Sequence, residues 1–182
     1  SSITLDDNII LNNNGYIDAF LIKYDANGNI KWAKTIGGDG NDQISNIILC
    51  NDGSYIVSGV YGSNLTIGSY TLPAPLGGFT YGMVIKYNKD DEEEWVNSIN
   101  GNRSRGSISI NALTLTTDGG YVVGGYFSHT TQLNFDGYIV KLSGRTDTGD
   151  GLIVKYNKQN NAEWACGVEG YYNESVKSLV ET

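Results

Sequence analysis

DAFLIKYDANGNIKW, residues 18–32, is the stretch whose reading decides the fold. An apolar run ends in Lys23-Tyr24, a polar turn forms around Gly28, and Trp32 follows. The frame returns as YGMVIKYNKDDEEEW at 81–95 and as DGLIVKYNKQNNAEW at 150–164. Trp32, Trp95 and Trp164 lie 63 and 69 residues apart, and Lys23-Tyr24, Lys86-Tyr87 and Lys155-Tyr156 keep both spacings. A second frame interleaves with the first: ISNIILCNDGSYIVSGVYG at 44–62 and INALTLTTDGGYVVGGYFS at 110–128. There Asp52-Gly53 matches Asp118-Gly119, 66 residues later. Self-similarity at a fixed period of this length is the mark of a repeat array.

One full unit holds four strand-like segments. ISNIILC is strand one, and the Asp-Gly turn that follows favours a hairpin. SYIVSGVY is strand two, GMVIKY strand three after a longer connection, and EWVNSI strand four. No window sustains a 3.6-residue period, so the expectation is all-β. The third strands, FLIKY, MVIKY and LIVKY, are continuous apolar runs, which implies a sheet covered on both faces. A β-propeller supplies that cover, because each blade lies between two neighbours. The fold expected is therefore a β-propeller of ~60–69-residue four-stranded blades, in a partial ring of about three repeats. The divisions are 1–41 (part of a blade), 42–103 (blade), 104–171 (blade) and 172–182. In the last, VKSLVET starts a third copy of the second frame, as the first strand of a further blade. The Trp of each copy is expected to pack between blades. Ser58-Gly59 and Gly124-Gly125 are expected to let facing sheets approach closely.

The combination KYDANGNIKW, GG, ND, NIIL and NDGSYIVSG resembles bacterial β-propeller repeats of secreted and surface proteins. It also looks like a relative of the pyrroloquinoline-quinone-type propeller repeat, whose blades carry a Gly followed by a Trp, here Gly28 and Trp32. The resemblance implies architecture, and a bacterial extracellular or cell-surface setting. No cofactor-binding set accompanies the Trp, so no cofactor is expected. Closed propellers have four to eight blades. The chain thus reads as a piece of a larger ring, or as a protomer that completes one with copies of itself. The function expected is a non-enzymatic scaffold for protein or glycan binding, or for adhesion. The alternatives are a carbohydrate-binding lectin and a piece of a propeller enzyme whose active site lies elsewhere.

Composition narrows the partners. A formal net charge of −8 without a basic cluster argues against nucleic acid. No apolar run approaches the ~20 residues of a membrane span, and no signal peptide is visible at the N-terminus. Cys50 and Cys166 form no CxxC pair, so they read as ordinary thiols. Asp25, Asn27 and Asn29 faintly resemble a calcium loop, but they serve the backbone of a hairpin turn and the later copies, NKDDEEE and NKQNNAE, lose the Gly, so no metal is expected. Glu92, Glu93 and Glu94 read as a solvated run, and His129, the single histidine, as a loop residue. The connections between strands two and three vary most, and binding concentrates on such loops. Their anchor-type residues are Tyr70, Phe79, Phe135, Tyr138 and Arg145. The competing reading is that these side chains pack extra hairpins inside the loops.

Overall fold

The computed structural model describes residues 2–5, 9–101, 105–130, 132–141 and 149–182. The chain is all-β. β1 (Ser2–Thr4) and β2 (Ile10–Asn12) form one hairpin, and β3 (Ala19–Tyr24) and β4 (Ile30–Ile36) a second. Next come β5 (Gln43–Leu49) and β6 (Tyr55–Tyr61). A small hairpin, β7 (Leu65–Ile67) and β8 (Tyr70–Leu72), intervenes before β9 (Tyr81–Tyr87) and β10 (Glu93–Ile99). β5, β6, β9 and β10 pair in that order as the first four-stranded antiparallel sheet. The pattern repeats with β11 (Ser107–Leu115), β12 (Tyr121–Ser128), the hairpin β13 (Gln132–Phe135) and β14 (Tyr138–Lys141), then β15 (Gly149–Tyr156) and β16 (Ala162–Val168). β11, β12, β15 and β16 make the second sheet. Among the described residues no sheet closes on itself.

The turns explain why the copies fold alike. In the first, Asp25 Oδ1 accepts from the backbone N–H of Asn27 and Asn29, at 2.8 and 2.9 Å. Asn88 and Asn157 accept the equivalent pairs in the later copies. Gly28 has φ of +86°, and Asp91 and Asn160 hold the same turn position at +67° and +64°. Asp and Asn tolerate this left-handed region better than other non-Gly residues, so the turn survives loss of the glycine. The Asp25 carboxylate that faintly suggested calcium is therefore occupied by turn N–H groups and the Asn29 amide.

Two apolar layers join the sheets. Leu21, Trp32 and Ile36 of the β3–β4 hairpin pack on Tyr55, Val57, Met83, Ile85 and Tyr87 of the first sheet. From the other face of that sheet Ile56, Val84, Trp95 and Ile99 pack on Tyr121, Val123, Leu152, Val154 and Tyr156 of the second. Successive residues of β6 and β9 thus enter opposite cores, which is why these two strands read as continuous apolar runs. Trp95 stacks on Tyr121 with centroids 5.5 Å apart, and Tyr121 on Tyr156 at 5.2 Å. One backbone bond recurs at each junction: Asp42 N–H to Ile17 O (2.7 Å), Ile108 N–H to Thr80 O (2.8 Å) and Glu174 N–H to Gly149 O (2.8 Å).

Two expectations need correction. The small pairs do not act alike. A Cβ on Gly124 would lie 2.7 Å from Val176 of the C-terminal segment, so there the small residue admits a chain segment rather than a facing sheet. Gly59 and Gly125 instead serve their own sheets. A Cβ on either would strike the carbonyl oxygen of Gln43 or Ser109, beside the register shifts at Ile44/Asn46 and Ile110/Ala112. Residues 172–182 carry no strand. A strand needs a ladder partner, and none pairs with this tail. It nevertheless lies against β12, through Val176 N–H to Gly125 O at 3.0 Å. It thus occupies the place beside the second sheet that β11 occupies beside the first.

Candidate binding cleft between the two sheets

The junctions differ in one residue that shapes the surface. At the first, Asp91 gathers three donors from neighbouring elements. Lys23 Nζ lies 2.6 Å from it, Trp32 Nε1 2.8 Å and Tyr55 OH 3.2 Å. Burial alone would raise the Asp91 carboxyl, but the hydrogen bonds from Lys23 and Trp32 outweigh it and hold the group below the usual carboxylate range. At the second junction the same turn position is Asn160, which bears no charge. Lys86, the counterpart of Lys23, turns to Glu94 at 3.0 Å. Asn160 Oδ1 instead accepts from Tyr121 OH at 3.1 Å, and Asn97 Nδ2 donates to the same hydroxyl at 3.0 Å.

Beside this neutral junction opens a cleft of about 390 Å3. It is lined by the amides of Asn97, Asn100, Asn134 and Asn160, by Asp136 and by Tyr156. Three separate stretches build it: the end of β10, the tip of the β13–β14 hairpin and the turn after β15. The hairpin tip is fixed by Gly137 N–H donating to Asn134 Oδ1 at 2.8 Å. Asp136 there has φ of +52° and accepts from Ala162 N–H, also at 2.8 Å. Asn97 donates through Nδ2 and Asn134 and Asn160 accept at Oδ1 in these bonds, and all three residues border the cleft. Burial raises Tyr156 well above the ordinary phenol range, helped by nearby Tyr121 and Asp136. Among the described residues the lining thus combines amide side chains, a tyrosine and a single carboxylate, Asp136.

The loop anchors do not converge. Tyr70 OH donates to the Glu94 carbonyl at 2.6 Å and so pins the β7–β8 hairpin to β10. Phe79 packs against the His129 ring at 5.3 Å. Phe135 is buried in the second core and also borders the cleft. Tyr138 is exposed on β14. Arg145 lies outside the described residues. Three of the four described anchors thus make contacts within the fold, and of these four only Phe135 borders the cleft. The amides were passed over because each alone is an ordinary turn or strand-end residue. Their one sequence signal is the pair of turn-like dipeptides Asn100-Gly101 and Asp136-Gly137.

The remaining candidates are paired or dispersed. Glu93 bonds Lys34, Glu94 bonds Lys86, and Glu92 accepts from the Asn88 amide. Cys50 and Cys166 are free thiols. Among the described residues no cluster of three or more His, Cys, Asp or Glu side chains suits a metal ion, and no helix is long and apolar enough to cross a membrane. Comparison of the chain with models of protein families and with curated protein sequences returned no match to either.

Proposed function

We propose that this chain is a non-enzymatic β-propeller-type scaffold of a bacterial secreted or surface protein, and that it binds its ligand at the amide-lined cleft. The stacked four-stranded units of matching sequence support the propeller reading. The observation that carries the binding reading is the cleft itself. Its volume falls in the range of small-ligand sites, roughly 300–1,000 Å3. Its lining favours a neutral, polyhydroxylated ligand such as a glycan over an apolar peptide. Amide oxygens accept from sugar hydroxyls, and amide N–H and phenol O–H groups donate to them.

The test is a glycan and protein binding screen, followed by calorimetry on the 182-residue chain and on Asn134→Ala and Asp136→Asn. The expected result is a ligand whose affinity falls tenfold or more in either variant, about 1.4 kcal/mol or greater. Failure of the screen, or a ligand indifferent to both substitutions, would remove the cleft from consideration.

A further inference from the structure

The interface between neighbouring sheets has two halves, and among the described residues one half of each kind is left partly exposed, the Trp164 side bordered by Leu179 and Val180 of the C-terminal segment. One half comes from strands three and four of a unit. It is Leu21, Trp32 and Ile36 at the first junction, and Val84, Trp95 and Ile99 at the second. Ile36 and Ile99 are buried there. The corresponding residues of the second sheet are Ile153, Trp164 and Val168, and here Trp164 is 43% and Val168 46% exposed. The other half is the receiving face: Met83, Ile85 and Tyr87 in the first sheet, Leu152, Val154 and Tyr156 in the second. Its counterpart on β3 is Phe20, Ile22 and Tyr24, of which Phe20 is 48% and Tyr24 52% exposed. Position for position, the two exposed patches are the two sides of a contact that the chain already makes twice.

We propose that copies of the chain join head to tail, the Trp164–Val168 face of one seated on the Phe20–Tyr24 face of the next. The inference rests on the packing between sheets and is independent of the cleft. The occupant is a second copy because its β3–β4 hairpin carries the residue classes that the exposed C-terminal face meets at both internal junctions. The tail supports this register. Its Glu174–Gly149 bond repeats Asp42–Ile17 and Ile108–Thr80, so it lies where strand one of the next unit belongs. β3 and β4 of the second copy would supply strands three and four. The strand-two slot between them stays unfilled, which makes the association weaker than either internal junction. The contact is heterologous, so repeated use gives a ring if the rotation closes and a filament if it does not.

Sedimentation velocity on the 182-residue chain, at rising concentrations up to about 200 µM, tests this. The expected result is a mass climbing above the 19.7 kDa of one copy. Trp164→Asp and Phe20→Asp should each remain at one copy. Their equimolar mixture should form a capped dimer, since one variant keeps each intact face. Val168→Asp and Tyr24→Asp form a second pair, and circular dichroism selects variants that keep the strand signal. A wild-type chain that stays at one copy throughout would overturn the proposal, as would self-association of Trp164→Asp alone or failure of both mixtures to pair. Any of these would leave the exposed faces to a further repeat unit or to a different protein.

Discussion

Ile99 and Val168 occupy equivalent places on the fourth strands of the two sheets, and the architecture assigns them unequal energies. Ile99 is fully buried in the second core, whereas Val168 is 46% exposed. Ile99→Ala removes three carbons, worth about 2.4 kcal/mol at roughly 0.8 per buried methylene. A residual cavity between the sheets adds about 1 kcal/mol. The expected cost is therefore about 3 kcal/mol. For a chain of this length that lowers Tm by roughly 6–12 °C. Val168→Ala removes two carbons that are half in water, and should cost less than about 1 kcal/mol. Ile36→Ala, the third equivalent, should resemble Ile99→Ala because Ile36 is 3% exposed. Urea denaturation followed by tryptophan fluorescence measures all three. Equal losses at 99 and 168, or a negligible loss at 99, would refute the assignment of buried and open faces.

Further outcomes are expected of the same structure. Gly125→Ala should cost about 2–4 kcal/mol in urea unfolding, because its Cβ meets the Ser109 carbonyl at a bulge. Gly119→Ala should cost only about 1 kcal/mol, because φ there is +85° but the space is open. Acid should destabilise the fold. Asp118 lies below the usual carboxylate range through the Lys155 bond, then those from Thr116 and the Gly120 N–H, and Asp91 lies below it through Lys23 and Trp32 despite burial. A depressed carboxyl stabilises above its unfolded pKa of about 3.9 and loses that contribution as pH falls through the folded value. Tm should therefore drop on acidification below about pH 4, and Asp91→Asn should shrink that drop.

The sequence was most informative where local chemistry decides structure. Asp52-Gly53 and Asp118-Gly119 specify tight turns, and the apolar run of β9 specifies a sheet covered on both faces, whereas the matching run of β3 leaves Phe20 and Tyr24 exposed. The extra hairpins β7–β8 and β13–β14 were also foreshadowed, by short apolar stretches within long connections. Legibility ended where several segments must meet. The cleft draws on residues near 97–100, 134–136 and 156–160, and only the folded chain brings them together. The left-handed positions at Asp91 and Asn160 were hidden because the glycine that marks them in the first copy is replaced. Gly59 and Gly125 were assigned to the wrong neighbour for a related reason. A small residue announces close approach without saying whether the neighbour is the next sheet or the adjoining strand.

The central claim is that successive sheets stack face to face through one repeated contact. A double-mutant cycle across Trp95 and Tyr121, using leucine at each position, tests it most directly. The account expects a coupling of about 0.5–1.5 kcal/mol between these two rings from separate sheets. Additive losses, with no coupling, would contradict it.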